Sequence, residues 1–194
     1  MGSLEERIRR AVSEPVEIVD YDPGWPASFA REKRHLLGCL PEGIVVRIEH
    51  FGSTAVPGLS AKPIIDMLVE VVDLQVVRER VAPLLESRGY EYFWRPTFGD
   101  DGEPFYAWFI KRDPQTGART HHIHMVEGGF TEHWDRLLFR DYLIEHPDVA
   151  ARYDALKRAL AAETRAHRVR YTEAKSDFIN RVTGDARRAS GDVG

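Results

Sequence analysis

The stretch EHFGSTAVPGLSAKPIID holds the residues whose types and spacing point most directly to chemistry. Gly52, Ser53 and Thr54 form a hydroxyl-bearing turn, and Asp66 follows inside an apolar run. Glycine admits close backbone approach, amides at a helix start attract phosphate, and the hydroxyls add donors. A carboxylate in an apolar strand is costly to bury unless it is paired or bound to a metal. Together they suit a nucleoside triphosphate carried with a hard cation such as Mg²⁺ or Mn²⁺, which takes its ligands from carboxylate and phosphate oxygens. The plainer alternatives are a tight turn capped by Ser53 and an Asp66 salt bridge to Arg47 or Lys62.

A second constellation is HHIH. His122 and His124 sit at strand spacing on one face, which suits two ligands to zinc, iron or manganese, a phosphate contact, or a purely structural pair. His121 points the opposite way. Lys62, Arg95 and Arg140 are candidates to balance phosphate charge, with surface roles as the alternative. Lys175, one turn past Tyr171, is placed to join them. The aromatic runs YEYFW and FYAWF suit a core or a cleft wall, with Trp94 and Trp108 as the stacking candidates. FGDDGEP reads as a solvated turn or a metal loop. Cys39, the single cysteine, excludes an internal disulfide and reads as a small core residue.

The elements that must position these groups follow from hydrophobic period. Ser3 caps a short helix over 4 to 12, and VEIVDYDPGW gives a brief strand ended by a turn. Residues 26 to 40 and 74 to 88 have helical period, the second stopped by Gly89. IVVRIEHF and IIDMLVEVV are strands, the latter too uniformly apolar for a sheet edge. YEYFWR, FYAWFIKR and RTHHIHMV are three more, and from about 131 to 190 the chain is helical, broken at His146-Pro147. The expected fold is α/β (α+β), a mixed sheet covered on one face by helices, with a helical segment behind it. Strand parity puts Asp66, Leu68 and Glu70 on one face of the second strand, opposite Ile65, Met67, Val69 and Val71. It likewise puts Thr120, His122, His124 and Val126 on one face of the last strand. If those strands are neighbours, Asp66 and the two histidines look into one cleft.

At 194 residues and 43% hydrophobic, the chain suits one well-cored domain. A net charge of -4 gives no case for nucleic acid or an anionic membrane. No apolar run reaches bilayer length, the amino end lacks a signal-peptide core, and the Met-Gly start lacks a myristoylation serine. The expectation is a soluble cytoplasmic protein acting on a small molecule, with room for a protein partner.

RIEHFGSTAVPGLSAKPIIDMLV, RTHHIHMVEGG, HWDRLLFRDYLIEHP and YTEAKSDFI resemble the GrpB family, which belongs to the nucleotidyltransferase superfamily typified by DNA polymerase beta. The resemblance covers residues 15 to 182, between a helical extension (1–14) and a tail (183–194). It implies a minimal nucleotidyltransferase fold with Gly52 and Ser53 as the phosphate turn, and Asp66 as the first carboxylate of an Asp-x-Asp metal pair. The second position is Leu68, and the resemblance implies that the third superfamily carboxylate is replaced by a histidine, His124. Glu70 lies on the same face, about 7 Å farther along the strand. On this reading Asp66 and His124 are the catalytic pair, and Asp66, His122, His124 and Glu70 the metal candidates. Some members are fused to dephospho-CoA kinase. The alternatives are therefore an accessory domain binding a nucleotide or CoA-like molecule, or a histidine-based metalloenzyme.

Overall fold

A computed structural model describes residues 3–98, 102–163, 168–189 and 191. Asp100 and Asp101 of the FGDDGEP loop lie outside the described residues. Helix α1 (Leu4–Ser13) opens with a capping box, in which Ser3 and Glu6 bond each other's backbone amides. Helix α2 (Trp25–Cys39) leads into β1 (Val45–Phe51), a short 3₁₀ turn (Ser53–Ala55) and β2 (Ile65–Val71). The next helical stretch is α3 (Leu74–Val76), a π-helical turn (Val77–Val81) and α4 (Ala82–Ser87). The widened turn brings Pro83 in near the start of α4, where its missing amide removes no helical bond. Strands β3 (Glu91–Phe98), β4 (Gly102–Arg112) and β5 (Arg119–Val126) precede α5 (Thr131–Glu145), α6 (Pro147–Glu163), α7 (Arg168–Glu173) and α8 (Ser176–Ala189).

The strands form one sheet in the order β1-β2-β5-β4-β3. Only β2 and β5 run parallel among its neighbours, so the sheet is mixed. The largely apolar β2 is interior, between β1 and β5. The VEIVDYDPGW strand reduces to a single bridge between Val19 and Ala61, because Asp22-Pro23-Gly24 turns the chain before a ladder can extend.

Parity sorts the sheet as its pattern dictates. Ile65, Met67, Val69, Val71, Ile123 and Met125 pack against α2 and the α3–α4 stretch in the main core. Each such side chain, fully buried, contributes about 1.5–3 kcal/mol. The opposite face carries a smaller apolar cluster around Phe51, Leu68, Trp108 and Val126, and α5 packs over it through Trp134 and Leu137. Helices therefore flank both faces, not one, since α5 with α6 and α8 forms a third cluster around Phe139, Tyr153 and Val182. A tail beginning at 183 would divide α8, whose Thr183 and Ala186 are buried. Cys39 packs half-buried against the main core. Among the described residues no helix is long and apolar enough to cross a membrane.

Candidate functional site

Between the second face of the sheet and the helices lies a cavity of about 1540 Å³. Parallel pairing of β2 and β5 sets Asp66 directly beside His122 and Leu68 beside His124. His122 Nδ1 lies 3.0 Å from Asp66 Oδ1. The carboxylate's other oxygen faces Gly52: a Cβ there would lie 2.6 Å from Asp66 Oδ2, and the glycine's φ of 74° is itself one that side chains avoid. That junction is the reason a glycine occupies the turn.

The imidazoles are held from their far sides by arginines. Arg119 Nη1 approaches His122 Nε2 at 3.4 Å, and Arg136 Nη1 approaches His124 Nδ1 at 3.2 Å. Guanidinium only donates, so His122 Nε2 and His124 Nδ1 accept. His122 therefore carries its proton on Nδ1 and donates to Asp66. Burial pushes His122 down to about 4, against the upward pull of Asp66. Burial and then Arg136 hold His124 well below the ordinary histidine value. Both rings are neutral at pH 7. Burial drives the Asp66 carboxyl up, but the His122 bond and the charges of Lys62 and Arg136 outweigh it, leaving it below its ordinary value.

These contacts decide which metal arrangements the residues fit. The lone pairs that His122 and His124 would offer a cation already accept from arginines. Leu68 is fully buried among apolar groups and supplies no oxygen. Glu70 is bonded to Arg47 at 2.6 Å and does not line the cavity. Among the described residues no three His, Cys, Asp or Glu side chains gather as a metal group. A two-ion centre does not fit. One hard cation does, with Asp66 Oδ2 as its protein ligand and phosphate oxygens for most of the rest.

The cation candidates divide. Lys62, Arg95 and Lys175 line the cavity, Lys62 and Lys175 lying 5.5 and 4.5 Å from the Tyr171 ring. Arg95 lies 4.7 Å over Trp108, and Arg136 5.5 Å over Phe51. Among the described residues neither Arg95 nor Arg136 has a carboxylate at ion-pair distance. Arg140 is outside the cavity: it bonds the His50 carbonyl at 2.7 Å and pairs with Asp141 and Glu49. Ser53 lines the cavity beside the Tyr153 hydroxyl. Thr54 is buried, its hydroxyl between His50 Nε2 and the Ile64 carbonyl, so it secures the turn. Trp108 walls the cavity; Trp94 also borders it, but its side chain packs against the main core beneath Arg78.

Sequence reasoning missed Arg119, Arg136, Tyr106, Tyr153 and Lys157. Strand alternation puts Arg119 on the face away from His122, but a register shift beside Lys111 and Arg112 re-aims it. Tyr153 and Lys157 did carry a signal, four residues apart on one helical face. Lys157 is almost wholly buried and donates to the Ser60 carbonyl, and burial brings its amine down to about 7.

A family model described as GrpB protein matches residues 15–185. The chain is 39% identical to a UPF0157 protein of Pseudomonas aeruginosa, covering 93% of this chain and 72% of that one. It is 32% identical to a dephospho-CoA kinase of Mycolicibacterium paratuberculosis, covering 81% of this chain but 42% of that one. The crystal structure of conserved protein GrpB from Enterococcus faecalis superposes with a TM-score of 0.75 at 32% identity, covering 90% of this chain and 99% of that one. A family match over residues 15–185, with a structural match over 90% of the chain, places this chain in the GrpB family.

Proposed function

We propose that the cavity binds a nucleoside triphosphate with one divalent cation, and that the chain is a nucleotidyltransferase-type enzyme: an acceptor group on a small molecule attacks the α-phosphorus, and pyrophosphate leaves. One observation carries this reading: the Asp66 carboxylate, pressed against Gly52, lines a cavity whose guanidinium groups at Arg95 and Arg136 rest on aromatic rings with no carboxylate at ion-pair distance among the described residues. Cations left without an anion in a partly buried site favour an anionic ligand. The cation at Asp66 would supply charge neutralisation on the phosphates. His122 orients the carboxylate and keeps Oδ2 directed at the ligand. Lys62 and Lys175 add charge from beside the Tyr171 ring, and Trp108 and Tyr106 supply an aromatic surface.

Calorimetry with ATP, GTP, CTP and UTP, with and without Mg²⁺, tests it. Arg136→Gln should weaken binding about 10-fold or more whether or not Mg²⁺ is present, the effect of losing one charge-assisted bond. Asp66→Asn should remove the Mg²⁺-dependent part alone. The reading fails if no nucleotide binds, or if Arg136→Gln binds as well as the parent.

The dephospho-CoA kinase match supports a second reading, because this chain corresponds to under half of that protein. On it, the fold is an accessory domain that binds dephospho-CoA and transfers nothing. Tight dephospho-CoA binding without product from any nucleotide would select it.

A further inference from the structure

The amino-terminal helix lies outside the span of the family match, yet it forms a wall of the cavity. Leu4, Ile8 and Val12 recur every four residues on α1 and are 52%, 46% and 47% exposed. All three line the cavity, as does Val169 of α7, 52% exposed. Helices α1 and α7 approach each other here. Half of the large exposed apolar side chains among the described residues thus stand at one cavity; the others are Leu37, Val46, Val72 and Ile144.

This wall is fixed in place. Arg7 bonds Glu86 at 2.9 Å and the Tyr92 carbonyl at 3.2 Å. Arg10 pairs with Glu91, and Glu14 pairs with Arg112 at 2.5 Å and with Arg119. Arg119 also donates to the Ala11 carbonyl while it holds His122, so the helix is joined to the site itself. A helix held only for packing turns its apolar stripe to a core. Here Arg7 and Ala11 make the inward contacts, and the apolar stripe borders the cavity.

We propose that the phosphate-bearing ligand also carries an apolar group: its phosphates reach the Asp66, Arg95 and Arg136 floor, as in the reading above, while the apolar group lies against Leu4, Ile8, Val12 and Val169. This rests on the phosphate reading above and specifies its substrate class. The apolar wall and the cation floor belong to one continuous cavity, so a single molecule meets both. Its phosphates alone would leave the wall wet.

Calorimetry with inorganic pyrophosphate and with ethyl, butyl, hexyl and octyl diphosphate tests the inference. Affinity should rise about two-fold per methylene, a partly buried fraction of the roughly four-fold that full burial brings. In Ile8→Ser the ratio of octyl diphosphate to pyrophosphate affinity should fall at least several-fold, and Val12→Ser should act in the same direction. Pyrophosphate binding without any gain along the series overturns this inference alone. Failure of every compound, pyrophosphate included, overturns the phosphate reading with it. Co-sedimentation with neutral phosphatidylcholine vesicles that Ile8→Ser abolishes would assign the stripe to a bilayer and overturn it as well.

Discussion

The two faces of the sheet are made from the same strands and differ in what their carboxylates are given. On the main-core face Glu32, from α2, is buried between the Tyr90 hydroxyl and Lys111 Nζ at 2.5 Å, so its oxygens are committed within the protein. On the cavity face one Asp66 oxygen is bonded to His122 and the other looks across the Gly52 turn. The closed face supplies the stability that lets the open one keep an incompletely paired charge. On the first face both carboxylate oxygens are bonded, whereas on the second, among the described residues, only one is.

The sharpest way to break this contrast is to put an acid at Leu68. Family reasoning makes that position the missing second metal carboxylate, so Leu68→Asp would be expected to raise divalent-ion affinity. The structure corrects this. Leu68 is on the cavity side of the sheet but is sealed among Phe51, Trp108 and Val126. An unpaired carboxylate there should cost on the order of 5 kcal/mol, from lost packing plus a buried charge. Chemical denaturation should show it largely unfolded. A folded variant with tighter Mg²⁺ binding would return Leu68 to the metal site.

Acid is the next largest perturbation, because it acts on the face with the neutral histidines. Burial pushes His122 to about 4 and His133 to about 3, each against an unfolded value near 6.5. Their folded values are lowered, so between about pH 6.5 and 4 the unfolded chain binds more protons than the folded one. Stability must fall as pH falls through that window. At pH 5 each of these two rings contributes about 2 kcal/mol of loss, on the order of 4 kcal/mol together, and His124 and His50, also lowered by burial, add loss in the same direction. Asp66 adds nothing here, since its lowered carboxyl titrates below the window. Urea midpoints at pH 7 and 5 measure the effect. A flat profile would mean the rings titrate in the fold as they do in the unfolded chain.

Exchanging one carboxylate per face sharpens the comparison further. Glu32→Gln should destabilise by about 3 kcal/mol, the lower end for breaking a buried pair, because Lys111 keeps some access to water. Asp66→Asn should cost less than about 1 kcal/mol in the absence of ligand, since an amide oxygen still accepts from His122. Thermal melts of both variants suffice. Equal losses would make Asp66 a structural partner like Glu32.

Period and parity made most of this fold legible. Asp66, His122 and His124 share one side of the sheet because both β2 and β5 alternate cleanly, and their adjacency needed only the pairing that parity left open. What parity could not show was who stands opposite. Arg119 reaches His122 across a shifted register, Arg136 arrives from a helix after the sheet, and both take lone pairs that spacing alone offers to a metal. Arg140, one turn beyond Arg136, turns back to β1. Nor does the sequence reveal that its stretch at 16–25 stops at one bridge, or that helices cover both faces.

Glu70 gives the smallest expected effect and the cleanest check on that lesson. It shares the face of Asp66 on the same strand, and by sequence it was the carboxylate best placed to make up for Leu68. Antiparallel register instead sets it directly across from Arg47, whose guanidinium it meets at 2.6 Å while Arg47 lies 4.0 Å over Trp134. A pair with one partner this exposed contributes about 0–1 kcal/mol. Glu70→Gln should therefore lower stability by less than about 1 kcal/mol, and high salt should shrink the difference further. Nucleotide and Mg²⁺ affinities should stay within about two-fold of the parent, since a 1.4 kcal/mol change is needed for ten-fold. A ten-fold loss of Mg²⁺-dependent binding in this variant would mean that Glu70 leaves Arg47 for the ligand, and the one-ion site at Asp66 would have to be redrawn around two carboxylates.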